Sequence, residues 1–357
     1  MRNPSSSFSP LRDEHLKCGA KFGDEAGLAV PLSYGDAPGE ARELLERAGL
    51  ADMSHNGRIR LRGDDALPLL ERLCTHDVAR QEDDTATATL LCNERGGIVS
   101  PAHLLRLEEE WLFLTPALTR EKVLDHLREH QGGLSVKIDD QTPRTAELLL
   151  AGPEAAEILD GVLPLAISDL ADGGVMCGSM LIAPYTAVRL DVGSVWCGRV
   201  VLPAAMAGQA WAYMTTRANG RPVRPVGQSA LDAIRVEQGL PRYGYELNET
   251  IDPATAGLLA CVSGRGDFLG AGAIAELSKR SPSRRRVRLA LSNTAPSIPR
   301  LGDAVFNADS DEIGTVSSGT WSVTRECPVA LAYIAASHDE NTVFVHTDGV
   351  RVEATVL

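Results

Sequence analysis

The spacing of apolar side chains predicts a unit of strands and helices in the first half of the chain. Arg58–Arg62 alternates polar and apolar residues, which is the period of a half-buried strand. Gly63 breaks this alternation, and the leucines at positions 69, 70 and 73 then predict a helix. Ile98–Leu107 and Trp111–Thr115 predict two strands, and Thr119–His130 predicts an amphipathic helix. The pattern favours the α+β fold class.

The same order of elements returns 89 residues later. Gly152 occupies the place of Gly63, and Ala155 occupies the place of Ala66. At this offset the predicted strand and helix also find counterparts: 111–114 corresponds to 200–203, and 121–130 corresponds to 210–219. The repeat predicts two related α+β units that pack pseudo-symmetrically and share a cleft.

Beyond Ser281 the pattern changes to short strand-like runs separated by turns rich in Gly, Pro, Asn and Asp. Such runs predict a small antiparallel barrel or jelly roll. The predicted strands are 286–291, 303–306, 313–318, 329–334, 342–346 and 350–356. The basic linker Lys279–Arg286 marks the boundary, and we expect it to be a solvated loop. The expected domains are an N-terminal segment at 1–57 packing on the second unit, α+β units at 58–140 and 141–280, and the barrel at 281–357.

Composition and charge narrow the class of protein. The formal net charge of −13 repels polyanions, so we expect no nucleic-acid partner. The chain has no apolar run long enough to span a membrane, and its N-terminus lacks the apolar core of a secretory signal. Its 7 cysteines are scattered without a CxxC pair, which is typical of reduced thiols and gives no zinc framework. These features predict a cytoplasmic protein.

Two short motifs resemble general ligand-binding patterns, and we expect neither of them to bind a ligand. Gly270–Ala275 fits a GxGxxA fingerprint, but a loop precedes it where a dinucleotide site needs a strand, so we expect a helix start. His126 and His130 lie four residues apart but lack the HExxH order. We expect both imidazoles on the exposed face of their helix, and no metal site.

Four segments of the second half are more informative, because their order and spacing resemble those of one family. They are Arg235–Gly239 (RVEQG), Tyr243–Leu247 (YGYEL), Pro253–Leu258 (PATAGL) and Asp267–Gly270 (DFLG). Further agreement comes from 19–22 (GAKF), 52–55 (DMSH), 93–98 (NERGGI), 151–153 (AGP) and 314–319 (GTVSSG). Together these motifs resemble the glycine-cleavage T-protein (aminomethyltransferase) superfamily over nearly the whole chain.

The resemblance implies three lobes around a central channel that holds tetrahydrofolate. The lobes would be two related, ferredoxin-like α+β units and a C-terminal antiparallel β-barrel or jelly roll. The resemblance points to Tyr243, Asn93, Arg235 and Glu246 as folate-binding residues. Tyr243 is the best single candidate, since an aromatic ring there could stack on the pterin.

The departures from the family pattern concern catalysis. Aminomethyltransferases have an aspartate pair after the GGI turn, and this chain has Ser100-Pro101 there. A serine cannot supply the carboxylate that would polarise the accepting folate nitrogen, and a proline offers no backbone donor. Other family positions are replaced at Ala88, Pro116 and Leu231, and the YTGExGFE segment is not recognisable at 191–202. We therefore do not expect ordinary aminomethyl transfer.

Three functions stay open. The first is a folate-binding protein with altered or absent one-carbon transfer, which would interact with a small one-carbon donor or a partner protein. The second is a non-catalytic accessory or scaffold protein, like the iron–sulfur-maintenance branch of the superfamily. The KGCYxGQE loop that marks this branch is missing at 265–272, although Gly239–Arg242 resembles this branch more than it resembles true transferases. The third is a folate-dependent demethylase or methyltransferase for another substrate, with a replacement acid or base among Asp232, Asp191 and His103.

Overall fold

The structure is a computed structural model that describes residues 7–180, 182–280 and 282–357. The chain divides into two compact units that are both discontinuous in sequence. Unit 1 comprises the described residues of 1–71, 77–89 and 101–231, and unit 2 comprises 72–76, 90–100 and 232–357. The chain therefore passes from one unit to the other after positions 71, 76, 89, 100 and 231.

The strands are numbered in chain order. They are β1 Ser7–Phe8, β2 Lys21–Glu25, β3 Leu28–Ser33, β4 Gly49–Asp52, β5 Gly57–Arg62, β6 Thr85–Cys92, β7 Ile98–Leu107, β8 Glu110–Thr115, β9 Lys137–Asp140, β10 Thr145–Ala151, β11 Val175–Met180, β12 Ala183–Arg189, β13 Cys197–Pro203, β14 Arg224–Pro225, β15 Arg284–Leu291, β16 Ala304–Phe306, β17 Glu312–Ser322, β18 Cys327–Ala335, β19 Thr342–Thr347 and β20 Val350–Val356.

The α-helices are numbered in the same way. They are α1 Arg12–Lys17, α2 Ala37–Glu46, α3 Ala66–Leu73, α4 Arg120–Gln131, α5 Ala155–Asp160, α6 Ala204–Thr216, α7 Gln228–Glu237 and α8 Ala271–Ser278. Among the described residues, no helix is long and apolar enough to cross a membrane.

Two larger sheets and a small one organise the N-terminal two thirds of the chain. One sheet has the strand order β6-β7-β8-β5-β9, and the second has the order β11-β12-β13-β10-β4-β14. The small sheet has the order β1-β3-β2. In the second sheet, β10 pairs antiparallel with both β13 and β4. As expected for a strand covered on both faces, β10 is largely apolar and is buried from its second residue onward.

The sequence repeat has a close structural counterpart. Gly63 and Gly152 have φ values of +121° and +122°, in the region that favours glycine. A side chain at either position would clash with a backbone carbonyl, at 2.2 Å from that of Ser135 and 2.5 Å from that of Arg47. Each glycine carbonyl then accepts a hydrogen bond from the first residue of the following helix, α3 or α5. The two glycines therefore make the same turn in both copies.

The C-terminal part of unit 2 is a closed barrel with the strand order β15-β18-β17-β16-β19-β20. Its β18 pairs with β15 on one side and β17 on the other. Every residue from Val329 to Ile334 is buried, so both faces of this strand are covered, which suits its continuous apolar run. The interior is filled by small and branched apolar side chains, including Leu289, Val305 and Val345. The predicted α+β class with an antiparallel C-terminal barrel is confirmed.

Two local predictions are wrong. His126 is buried in α4, because position 126 follows Val123 by three residues and so lies on the apolar side of the helix. The basic linker is a solvated loop only in part, since Arg284 already begins β15. The half-buried guanidinium of Arg286 donates to the carbonyls of Gly239 and Ala256, and burial lowers its pKa.

Candidate functional site

The polar centre of unit 2 is the buried carboxylate of Glu246. Its Oε1 accepts hydrogen bonds from the hydroxyls of Ser317 and Ser318, both at 2.6 Å. Its Oε2 accepts from Arg235 Nη1 at 3.0 Å and from the backbone N–H of Arg242 at 2.9 Å. Two donors on each oxygen satisfy the carboxylate. Glu246 therefore positions the residues around it and has little capacity left for a ligand.

Arg235 connects three elements of unit 2 at this centre. From α7 its Nε donates to Asp232 at 2.7 Å, one helical turn back. Its Nη1 also reaches the carbonyl of Leu240 at 3.0 Å, and its Nη2 donates to Ser318 on β17 at 2.9 Å. A planar guanidinium with donors in fixed directions suits such a junction. The structure thus brings together three of the predicted site residues: Asp232, Arg235 and Glu246.

A β-bulge explains why two consecutive serines face one carboxylate. In a regular strand Ser317 and Ser318 would point to opposite faces of the sheet. The pairing of β17 with β18 shifts register between Val316 and Ser318, which inserts one extra residue. Beside them, the hydroxyl of Tyr333 donates to the backbone carbonyl of Glu246 at 3.0 Å. Burial raises the pKa of Tyr333 to about 12, so this hydroxyl stays protonated at neutral pH.

A cavity of about 570 Å³ opens beside this centre, within the size range of small-molecule sites. Its polar wall is formed by Asp232, Ser317 and Ser318. The rest of its lining is Tyr245, Ile298, Pro299, Arg300, Leu301 and Gly319. The ring of Tyr245 is 41% exposed, and the Arg242 guanidinium lies 5.1 Å from its centroid. Polar groups on one wall and exposed apolar and aromatic groups elsewhere suit an amphipathic ligand.

None of the four predicted folate ligands is in the lining of this cavity, and the other two, Tyr243 and Asn93, lie elsewhere in unit 2. Tyr243 is buried in an apolar cluster with Leu90 and Phe268, and its hydroxyl lies 3.4 Å from Glu249 Oε1. Asn93 accepts hydrogen bonds from two backbone N–H groups of its own turn and donates to the carbonyl of Glu249 at 3.1 Å. In the structure, the Asn93 side chain therefore holds the 93–97 turn.

The remaining catalytic candidates, Asp191 and His103, belong to unit 1. Asp191 accepts from Arg189 through both carboxylate oxygens and from the backbone N–H of Cys197 at 3.0 Å. His103 lies on β7, where burial and then the positive charge of Arg199 lower its pKa to about 3. The imidazole is therefore neutral at physiological pH and can accept a proton only weakly.

Models of one family match nearly the whole chain. The GCVT N-terminal domain matches residues 11–265, and the glycine cleavage T-protein C-terminal barrel domain matches residues 284–357. The chain belongs to the glycine-cleavage T-protein family.

Curated relatives and a solved structure agree with this membership. An aminomethyltransferase of Geobacillus kaustophilus is 32% identical, covering 98% of this chain and 96% of its own. An aminomethyltransferase of Bdellovibrio bacteriovorus is 29% identical, with 98% and 97% covered. The crystal structure of the glycine cleavage system aminomethyltransferase T from Bartonella henselae has a TM-score of 0.89 and 27% identity, covering 99% of this chain and 97% of its own. The family suggested by the motifs is confirmed.

Ser100-Pro101, which the motif resemblance assigns to the place of the T-protein aspartate pair, lies early in β7. Ser100 has no exposed surface, and Pro101 follows it in the same strand. This place therefore holds a buried hydroxyl and a proline without a backbone N–H, and no carboxylate.

Four residues around the cavity were missed by sequence reasoning: Arg242, Tyr245, Ser317 and Ser318. The two serines lie within the segment that resembles the T-protein GxVTSG motif, but strand alternation gives no sign that both face inward. Tyr245 is two residues from Tyr243 in the YGYEL motif. The positive φ of +88° at Gly244 reverses the chain between the two rings, so only Tyr245 lines the cavity.

Proposed function

We propose that this chain binds a reduced folate, tetrahydrofolate or its 5-methyl form, and does not carry out ordinary aminomethyl transfer. Membership of the T-protein family over nearly the full length supports the first half. The observation that supports the second half is Ser100-Pro101 at the place of the acid pair. The sequences of the named relatives favour ordinary transfer, so the experiment must test binding and turnover separately.

The cavity of unit 2 suits part of a folate molecule. A folate joins a flat pterin and an aryl ring to a glutamate tail that carries carboxylates. The exposed ring of Tyr245 could pack on a flat heterocycle, and Asp232 could accept hydrogen bonds from its ring nitrogens. Arg300, whose side chain is 71% exposed and lies 3.4 Å from Asp348, could bind a carboxylate. When bound, the folate would supply the nitrogen that accepts a one-carbon unit.

The proposed loss of transfer agrees with the surroundings of Asp232, Asp191 and His103, the three residues predicted as a replacement acid or base. Asp232 lies 2.7 Å from Arg235 and 3.4 Å from Arg242, so guanidinium groups neutralise it. Asp191 is paired with Arg189 in the same manner. Hydrogen bonds from guanidinium groups therefore already occupy both carboxylates. Of the three candidates, only the imidazole of His103 could act as an uncharged base.

The test combines calorimetric titration with a turnover assay on the same preparations. Wild type, Tyr245→Ala and Tyr243→Ala are titrated with tetrahydrofolate and with 5-methyltetrahydrofolate. Tyr213→Ala is the matched control, because Tyr213 is a partly exposed tyrosine of unit 1 outside the proposed site. We expect wild-type binding, about tenfold weaker binding in Tyr245→Ala from loss of stacking area, and no change in the control. A similar loss of folate affinity in Tyr243→Ala would support Tyr243 as the folate-binding residue, as predicted from the sequence.

Turnover is measured with an aminomethylated lipoyl carrier protein as donor. Folate binding without transfer would support both halves of the proposal. Binding with rapid transfer would show an ordinary aminomethyltransferase and overturn the second half. Absence of binding at millimolar folate would overturn the first half and leave the accessory or scaffold role. Transfer only from N-methylated amines would instead identify a demethylase or methyltransferase.

A further inference from the structure

Helix α4 of unit 1 places three side chains with metal-ligating atoms together. His126, Glu129 and His130 each offer one ligand atom, and these atoms lie within 4.8 Å of one another. Their spacing of three and four residues puts all three on one helical face. The two imidazole ring centroids are 4.6 Å apart. The group is separate from the cavity of unit 2 and has no part in the proposed folate function.

His126 has a nitrogen that lacks a partner. The residue is 9% exposed, and its buried Nε2 has no hydrogen-bond partner within the described ranges. Buried polar atoms in folded proteins almost always have a hydrogen-bond partner, so this nitrogen is available to a ligand.

His130 is held in an orientation that suits a ligand. Its Nδ1 lies 2.9 Å from the backbone carbonyl oxygen of His126. A carbonyl can only accept, so Nδ1 must carry the hydrogen and Nε2 must carry the lone pair in the neutral ring. Donation of the second ring N–H to a backbone carbonyl is the usual support for a metal-bound histidine.

We propose that His126, Glu129 and His130 bind a divalent late transition-metal ion of the zinc type. Two imidazole nitrogens and one carboxylate oxygen match the donors that Zn²⁺ and its neighbours take, with further positions left to water. Mg²⁺ and Ca²⁺ prefer sets of oxygen ligands, so they do not suit this group. Binding would also give the unsatisfied nitrogen of His126 a partner and would link two successive turns of α4.

The test is calorimetric titration of the full-length chain, freed of any affinity tag, with zinc chloride alone at neutral pH. A Cys177→Ser background removes an exposed thiol that could bind zinc independently. We expect one equivalent of bound zinc and a higher melting temperature in its presence. We also expect His130→Ala and His126→Asn each to weaken binding tenfold or more, and Glu129→Gln to weaken it less.

His346→Ala is the matched control, because His346 is an exposed histidine of β19 in the barrel. It should leave zinc affinity unchanged. If His126→Asn fails to fold, His130→Ala and the exposed Glu129→Gln still decide the question. Cobalt added in place of zinc gives a second readout, since the intensity of its visible absorption distinguishes a four- or five-coordinate protein site from the octahedral aqua ion. Absence of binding at millimolar zinc, or zinc affinity unaffected by every α4 variant, would overturn the proposal.

Discussion

Two buried arginine–glutamate clusters, one in each unit, differ in how the hydrogen-bonding groups of their charged side chains are paired. In unit 2 each oxygen of Glu246 accepts two hydrogen bonds, one of them from Arg235. In unit 1, Glu147 Oε1 accepts from Arg199 at 3.2 Å, whereas Oε2 has no hydrogen-bond partner in the described part of the chain. Arg58 Nη1 lies 3.7 Å from that second oxygen.

The arginines of the two clusters also differ in the groups that accept their hydrogen bonds. Arg58 donates to four backbone carbonyls, at distances from 2.7 to 3.1 Å, and to the hydroxyl of Thr145. Burial lowers its pKa, although Glu147 opposes the shift. Carbonyl dipoles thus offset much of the Arg58 charge, while Arg235 relies on the carboxylates of Asp232 and Glu246. We therefore expect the carboxylate to contribute more to stability in unit 2 than in unit 1.

The largest expected effect follows from Glu246→Gln. An amide N–H₂ must then face at least one of the donors that now point at the carboxylate, and Arg235 loses its buried counter-charge. We expect the free energy of unfolding to fall by about 3–5 kcal/mol, measured by urea denaturation. Glu276→Gln, which breaks the exposed ion pair with Lys279, is the control and should change it by less than about 0.5 kcal/mol. Equal effects in the two variants would contradict the buried role of Glu246.

Glu147→Gln tests whether the carboxylate of the unit 1 cluster contributes less to stability than that of unit 2. The amide N–H₂ can take the place of Oε2, where no donor lies within hydrogen-bond distance among the described residues. The Arg58 charge keeps its carbonyl partners, so we expect a smaller loss of about 1–2 kcal/mol in the same denaturation experiment. A loss as large as that of Glu246→Gln would show that carbonyls do not replace the carboxylate.

Ser317→Ala removes one of the two hydroxyl donors to Glu246 Oε1. Ser318 remains at 2.6 Å from the same oxygen, so the carboxylate keeps one hydroxyl on that side. We expect a loss of about 1 kcal/mol in the free energy of unfolding. Ser318→Ala should cost more, because the Ser318 hydroxyl also accepts from Arg235. The reverse order of the two variants would contradict this arrangement.

The smallest expected effect is a pH dependence at His103, beside Arg199 of the unit 1 cluster. Its pKa is about 3 in the folded chain, below its ordinary value of 6.5, so the unfolded chain binds the proton first on acidification. Stability is therefore complete above about pH 6.5 and falls as pH drops toward 3. Between pH 7 and 6 we expect a loss on the order of 0.5–1 kcal/mol from this group. His103→Gln should remove that part of the slope, and an unchanged slope would count against the assignment.

Much of the fold could be predicted from the chain because local pattern and burial agree there. The strand Ile98–Leu107 was predicted with the observed bounds, and each predicted barrel strand overlaps an observed one. The matching φ values of Gly63 and Gly152 show why the repeat was visible: the same turn requires glycine in both copies.

The parts that escaped prediction depend on tertiary contacts or on departures from regular geometry. Strand periodicity cannot reveal the bulge that turns Ser317 and Ser318 to one side. Helical periodicity places His126 beside Val123, but its polarity favoured an exposed interpretation. Glu246 and Arg235 were predicted as ligands because of their motifs, and only the structure shows that they bind each other.

The five passages of the chain between the two units have a practical consequence for dissecting this protein. No single cut separates the two units, because each is built from three separate stretches of the chain, so neither can be expressed as one uninterrupted gene segment without residues of the other. Ribosomal synthesis must also reach Asp232 before the bulk of unit 2 exists, leaving the segments 72–76 and 90–100 to wait without most of their unit. Folding on the ribosome is therefore constrained to end late, with the C-terminal third completing a unit whose first pieces were made near the start.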